Sequence, residues 1–229
     1  MSKQKSVGSG IIVLANSDKD GWQEQKWSGD PLEFKRPFRL CAVSGVGGGK
    51  TLLAKNVGIR RSDWDKVVVW SPHAAEGEWG DADPTEFCRT LPPYDDATYW
   101  GSIEDPCLLV CDDVMLTRSA LRKEYDNVDK VFSFCSTHHN WSIILCSQVL
   151  TQLDLSFKRY MSVWCLWQPR DIVAALRLAT IAGLTKQELQ GLFQKLKGPH
   201  DFAMIDTSGT AGPGVVLRVS TAAGISRPL

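Results

Sequence analysis

Eight consecutive residues, Ser44-Gly45-Val46-Gly47-Gly48-Gly49-Lys50-Thr51, set four glycines directly before a lysine and a hydroxyl. Backbone free of side chains can turn its N–H groups inward around an anion, and a lysine closing such a loop can reach phosphoryl oxygens. The run matches GxxxxGK[ST] except at its first position, where Ser44 replaces glycine. In this reading Ser44, Gly45, Val46, Gly47, Gly48, Gly49, Lys50 and Thr51 cradle the phosphates. Lys50 neutralises the β and γ oxygens, and the Thr51 hydroxyl is a ligand for Mg²⁺. The plain alternative is a flexible glycine loop that happens to precede Lys-Thr. The flanks argue against it, because Phe38 to Val43 is strand-like and Lys50 to Arg60 is helix-competent, as a phosphate loop requires.

A second group of chemistry-bearing residues lies downstream. Leu108-Leu109-Val110-Cys111 is apolar and runs into Asp112-Asp113, so a buried strand would present two carboxylates at its C-terminal end. Asp112 is the candidate second metal ligand, and Asp113 the candidate general base that polarises an attacking water. A solvated strand end is the alternative for these acids taken alone, and the phosphate loop upstream weighs against it. The next apolar strand, Ser142 to Cys146, is followed by Ser147 and Gln148, which places the Gln148 amide where it could sense a γ-phosphate. Together these residues describe Mg²⁺-dependent ATP binding and hydrolysis.

The elements that must position these groups can be read along the chain. Lys66 to Ser71, Cys107 to Cys111, Ser142 to Cys146 and Met161 to Trp167 are continuous apolar runs, the pattern of strands covered on both faces. Asp171 to Ala182 and Lys186 to Lys197 read as helices, and Phe202 to Ile205 and Val215 to Val219 as closing strands. The expected class is α/β: a three-layer P-loop NTPase of the RecA-like, additional-strand type with a mostly parallel central sheet. Residues 1–37 read as an N-terminal extension, 38–220 as the ATPase domain and 221–229 as a C-terminal tail. The acidic, Pro- and Trp-bearing stretch from Pro72 to Pro106 reads as mostly loop, and its length marks it for a role.

Composition bounds the function classes. The 229 residues are 43% hydrophobic and 23% charged, which fits one folded domain. Lys and Arg number 26 against 26 Asp and Glu, so no net field attracts nucleic acid or membrane and any DNA contact must be local. Seven cysteines without a CxxC pair read as reduced thiols. Cys135, His138, His139 and Cys146 do not have the spacing of a common zinc site and read as packing residues. Nor does any apolar run reach the length that crosses a bilayer. Packing is also the default for Trp22, Trp27, Trp79 and Trp100, although they stand in polar or glycine-bearing segments.

The stretch Thr137-His138-His139-Asn140-Trp141-Ser142-Ile143-Ile144-Leu145-Cys146-Ser147-Gln148, read with SGVGGGKT and LLVCDD, resembles the poxvirus-type DNA-packaging ATPases of the FtsK/HerA superfamily. Those enzymes serve double-stranded DNA viruses with double-jelly-roll capsids, including phages with an internal membrane. The similarity runs from about Phe38 to Val219. It implies an oligomeric ring, commonly a hexamer, that translocates double-stranded DNA into a preformed capsid at one vertex. It further implies capsid vertex proteins as partners, peripheral association with a viral internal membrane, and a location in the virion and, during assembly, the host cytoplasm. Family members usually carry an arginine where this chain has Thr137. The cation supplied by a neighbouring subunit is therefore unassigned, with Arg118 and Arg122 the first candidates and Arg159 and Arg170 behind them.

Two other classes stay open on the residues alone. A small P-loop kinase would use the 72–106 stretch as lid and acceptor pocket, although it has no need of Gln148 at a strand tip. A P-loop vertex protein with a mainly structural role would have no need of Lys50, Thr51, Asp112 and Asp113 together. The basic pairs Lys35-Arg36, Arg60-Arg61 and Lys158-Arg159 are either phosphate contacts in a ring lumen or ordinary solvated surface.

Overall fold

The computed structural model describes residues 11–17, 21–25, 34–60, 63–72, 79, 82–169, 172–181, 183–196, 198, 200–207 and 215–220. In chain order the strands are β1 (Ile11–Ser17), β2 (Gly21–Gln25), β3 (Arg39–Val43), β4 (Lys66–Trp70), β5 (Glu86–Cys88), β6 (Cys107–Asp112), β7 (Trp141–Ser147), β8 (Val163–Trp167), β9 (Asp201–Asp206) and β10 (Val215–Ser220). Helix α1 (Lys50–Leu53) continues in wider π turns over Ala54–Ile59. After it come α2 (Ala97–Trp100), α3 (Arg118–Leu121), α4 (Tyr125–Lys130), α5 (Ser136–His138), α6 (Leu155–Tyr160), α7 (Ile172–Leu176) and α8 (Lys186–Gln194). A π-wound stretch, Val131–Cys135, joins α4 to α5.

All ten strands form one sheet, in the order β2-β1-β10-β9-β8-β3-β7-β6-β4-β5. From β8 to β5 every pairing is parallel, and from β8 back to β2 every pairing is antiparallel. The decisive feature is β7, which stands between β3 and β6 and pairs in parallel with both. The strand that ends in the phosphate loop is thus separated from the strand that ends in Asp112 by one further strand, as the additional-strand class requires.

Alternation along the strands builds two cores. Leu40, Ala42, Val69, Leu108, Val110 and Ile144 point to one face and meet Leu53, Ala54 and Val57 of α1 and its continuation. Cys41, Val68, Leu109, Ile143, Leu145 and Leu166 point to the other and meet Phe132, Phe157, Leu189 and Phe193. Helices on both faces leave no strand face for solvent, which is why these strands carry no polar alternation. Gly58 brings the first helix onto the sheet: a β-carbon there would overlap the Ile144 Cδ1 methyl.

Several expectations need adjustment. Among its described residues the 72–106 stretch is mostly irregular, as read, but it adds two short elements, β5 and α2, and buries Trp79 and Trp100. Indole hydrogen bonding fixes it: Trp100 Nε1 donates to the Pro93 carbonyl at 2.7 Å and Trp141 Nε1 to the Trp100 carbonyl at 2.7 Å. The helix read over 171–182 is α7 alone, followed by turns to residue 181, and Asp171 and Ala182 lie outside the described residues. The next helix ends at Gln194, entered through a capping box in which Thr185 and Glu188 satisfy each other's backbone N–H. Residues 11–17 and 21–25, which fall in the stretch read as an N-terminal extension, form β1 and β2 at the antiparallel edge of the sheet. The Trp22 side chain and Trp27 lie outside what the structure describes.

Candidate functional site

The phosphate loop leaves β3 at Ser44, whose N–H donates to the Ser147 carbonyl at 3.2 Å and so ties the root of the loop to the tip of β7. Gly47 and Gly49 take φ of 76° and 102°, values that glycine adopts without strain. Gly48 lies so close to the Ser44 hydroxyl that a β-carbon would overlap it. Glycine at these positions is therefore a requirement of the loop's path. Lys50 is buried, and its Nζ donates to the carbonyls of Ser44 at 2.9 Å and Gly45 at 3.2 Å, which holds the ammonium across the loop. Val46 forms the tip and is 83% exposed. Thr51 follows on the first turn of α1.

Asp112 ends β6 and is buried at the same sheet edge, paired in register with Cys146 of β7. The neighbouring thiols show how dry this part of the sheet is. Burial pushes Cys111 and Cys146 well above the ordinary thiol range, and the Asp112 carboxylate adds to the rise in both. Asp113 leaves the strand with φ 54°, a left-handed conformation that costs most residues about 1–2 kcal/mol and that aspartate tolerates better than most. Its N–H donates to the Cys146 carbonyl at 3.2 Å, and its carboxylate stands exposed beyond the strand tip. There Gln148 meets it: the amide nitrogen donates to both Asp113 carboxylate oxygens, at 3.2 Å each.

The fold therefore brings the phosphate loop, Asp112, Asp113 and Gln148, drawn from three separate parts of the chain, to one edge of three adjacent strands. The loop's shape fits a polyphosphate, since positive-φ glycines let backbone N–H groups converge and a buried ammonium lies across it. Lys50 and the loop would hold the phosphates, Thr51 and Asp112 would hold Mg²⁺, and Asp113 is the one carboxylate of the pair left exposed to take a proton from water.

Arg118 and Arg122 are not gathered into this site. Arg118 is exposed at the start of α3, with its guanidinium 4.3 Å over the Tyr125 ring and its N–H donating to Asp154 at 2.9 Å. Arg122 is exposed at the end of α3 with φ 49°. Arg159 is exposed in the last turn of α6, and Arg170 lies outside the described residues. Thr137, where the resembling family carries arginine, donates its hydroxyl back to the Ser133 carbonyl at 2.8 Å. Of the basic pairs, Arg36 is committed to the Asp63 carbonyl and the Trp64 ring, and Arg60 to Asn56. Arg61 lies outside the described residues. His138 stacks on Phe134 and Cys135 donates to the Tyr94 carbonyl, so these two serve packing.

The residue patterns gave no sign of a cavity of about 520 Å³ beside the loop, walled by Leu166, Gln168, Ala175, Phe193 and His200 as well as by Ser44 to Gly48. One signal was available: Gln168 follows the tip of β8 much as Gln148 follows the tip of β7.

Neither a protein-family model nor a curated protein sequence matches the chain. Solved structures do. The genome packaging NTPase B204 from Sulfolobus turreted icosahedral virus 2, in complex with ATP-gammaS, superposes with a TM-score of 0.58 at 12% identity, covering 80% of this chain and 98% of that one. B204, the DNA-packaging ATPase from Sulfolobus turreted icosahedral virus, gives 0.58 at 10% identity over 82% and 99%. The cytoplasmic domain of the type VII secretion ATPase EccC from Thermomonospora curvata gives 0.54 at 11% identity, over 92% of this chain and 28% of that one. The chain has the α/β P-loop NTPase fold of these proteins, with a mostly parallel core in which β7 separates the phosphate-loop strand from the aspartate strand.

Proposed function

We propose that this chain is an ATP-hydrolysing motor that translocates double-stranded viral DNA into a preformed capsid. One observation carries the proposal most: a buried Lys50 in a glycine loop, a buried Asp112, and an exposed Asp113 held by Gln148 converge at one sheet edge, with β7 between their strands. The likeness to B204 over nearly the whole of that chain supports the packaging role, as do the motif residues that resemble the FtsK/HerA packaging enzymes.

In this reading the loop N–H groups and Lys50 bind and orient the triphosphate and stabilise charge as it shifts toward the bridging oxygen. Bound at Thr51 and Asp112, Mg²⁺ would neutralise the charge of the phosphates. Asp113 accepts the proton of the attacking water, and Gln148 fixes the carboxylate that does so. Double-stranded DNA, capsid vertex proteins and further copies of the chain, in a ring that is commonly a hexamer in the resembling family, complete the machine. Its place is the packaging vertex of the virion and the host cytoplasm during assembly, with peripheral contact to an internal membrane where the virus has one. Among the described residues no helix is long and apolar enough to cross a membrane.

The kinase alternative fares poorly on geometry. Helix α2, in the segment that would have to form a lid, packs through Trp100 on Trp141 at 5.0 Å, at the opposite end of β7 from Gln148. The test is hydrolysis by the purified chain with and without duplex DNA. Turnover that rises with duplex DNA is expected. With ring assembly verified, absence of turnover under both conditions sinks the ATPase assignment, and turnover indifferent to DNA sinks the motor.

A further inference from the structure

We infer that Asp154 is a positioning residue for the hydrolysis proposed above. It locks the segment that follows Asp113 to the segment that follows Gln148, so that the two groups stay in contact and move as one piece with α3. The inference rests on the ATPase reading of the site and deepens it.

Two arms of chain leave neighbouring strand tips. One runs from Asp113, after β6, to Arg118 at the start of α3; the other runs from Gln148, after β7, to Asp154, just before α6. They are joined near both ends. At the site, the Gln148 amide donates to both Asp113 carboxylate oxygens at 3.2 Å. At the far end, Leu116 and Leu153 pair in parallel and the Asp154 N–H donates to the Leu116 carbonyl at 2.8 Å. The Asp154 carboxylate in turn accepts the Arg118 N–H at 2.9 Å. Leu116 and Leu153 are buried, so the far joint is seated in the core, whereas Met115 and Val149 between the joints are exposed.

Asp154's choice of partner is informative. It stands at the N-cap position of α6, where an aspartate ordinarily accepts an N–H from its own helix. No such side-chain bond forms. The carboxylate reaches across 36 positions in the chain to the first helical N–H of α3, one of the donors that any helix leaves open. Thr117 already caps that helix by accepting the Ala120 N–H, so the two acceptors divide the open donors between them.

The consequence reaches the site through the backbone. Asp113 holds a left-handed φ of 54°, a conformation that persists where the surroundings fix it from both sides. On the strand side its N–H is held by the Cys146 carbonyl. On the other side the arm is held at Leu116 and Arg118. Released there, the arm lets the carboxylate turn away from Gln148, and misplacing a reacting group by about 1 Å can cost on the order of a hundredfold in rate. Phosphate binding, made by the glycine loop, does not depend on this arm. By the same linkage, a shift of Gln148 in response to a γ-phosphate is passed through Asp154 to α3.

Turnover and amide hydrogen exchange of the assembled full chain test this. Asp154→Ala should lower kcat about tenfold or more while affinity for a non-hydrolysable ATP analogue stays within about twofold, and in the Asp113→Asn background it should cost almost nothing further. In the wild type, replacing ADP by the ATP analogue should change exchange in both 113–122 and 148–155. In Asp154→Ala the change should persist in 148–155 and vanish from 113–122. Asp154→Asn, whose carbonyl oxygen can accept the same N–H, should restore both readouts. A second pair of variants leaves Asp154 in place and decides the case even where Asp154→Ala does not fold. Arg118→Pro removes the donor at a first helical position that suits proline, whereas Arg118→Ala loses the same side chain but keeps the N–H. Only the proline variant should lose the nucleotide response of 113–122. The inference is overturned if wild-type 113–122 shows no such response, or if it survives equally in Arg118→Pro and Arg118→Ala. It is also overturned if folded Asp154→Ala keeps wild-type kcat, if its loss adds fully to that of Asp113→Asn, or if Asp154→Asn is as impaired as Asp154→Ala. A wild type that neither binds the analogue nor turns over ATP would instead remove the ATPase reading itself.

Discussion

At the scale of single residues, the contact between Gln148 and Asp113 changes what each is expected to do. Asp113→Asn should leave nucleotide affinity within a few fold while cutting turnover by roughly a hundredfold or more, because metal ligation by Asp112 survives and proton acceptance does not. Equal loss of binding and turnover would show that the two aspartates have been assigned the wrong way round. Gln148 donates to both oxygens of that carboxylate, so part of its contribution must run through Asp113. Turnover of Gln148→Ala, Asp113→Asn and the double variant should therefore be non-additive, with the double variant little slower than Asp113→Asn alone. Strict additivity would mean that Gln148 acts on the nucleotide independently. The positions of Lys50, Thr51, Asp112 and Gln148 were legible in the sequence because each follows or ends a recognisable apolar strand or loop. Their mutual contact was not, since a hydrogen bond between residues 113 and 148 depends on the left-handed turn at Asp113, which no local pattern announces. The cavity walls were hidden for a related reason: Gln168, Phe193 and His200 come from separate elements and share no motif.

At the scale of elements, continuous apolar runs identified β3, β4, β6, β7 and β8, because strands buried on both faces have nothing else to show. The 72–106 stretch was harder to read because its order comes from long-range indole hydrogen bonds rather than from periodicity. The antiparallel flank was half visible, since β9 and β10 read as strands while the pairing of β1 with β10 joins opposite ends of the chain. The first helix owes its close seat on the sheet to one residue. Gly58→Val should be destabilising, because its side chain must enter space held by Ile144, which is 1% exposed and has no room to withdraw. Overpacking of this kind costs about 1–3 kcal/mol. For a domain of this size that lowers the melting temperature by roughly 2–10 °C. A thermal melt matching wild type would show that the helix can shift without loss, and with it that the loop's position tolerates movement of α1.

At the scale of the whole molecule, the site has one cation in the loop, Lys50, whereas phosphoryl transfer gains a factor on the order of a thousand or more from an arginine that a neighbour can supply. Activity is therefore expected to require assembly, with Arg118 the first candidate and Arg122 the second. Arg118 opens α3, which begins five residues beyond Asp113, and Arg122 directly follows that helix. Within its own chain Arg118 lies over the Tyr125 ring, and leaving it costs an exposed guanidinium about 0.5–1 kcal/mol. A thousandfold acceleration corresponds to about 4 kcal/mol, so the resting contact is too weak to prevent the side chain from crossing to an adjoining site. Simple surface packing of Arg118 is the competing account, and mixing separates the two. A subunit with Arg118→Ala keeps its own loop intact but offers its neighbour no arginine, whereas a subunit with Lys50→Ala cannot use its own site but still presents Arg118. Each alone should be inactive, by on the order of a hundredfold or more for loss of a charge-stabilising group. Combined in one ring they should regain turnover, because an intact loop then faces an intact arginine at some of the interfaces. If ring formation is verified and neither this mixture nor the Arg122→Ala counterpart recovers turnover, α3 does not supply the arginine. Arg159, exposed at the end of α6, then becomes the position to substitute, because it is the remaining described arginine among the four candidates.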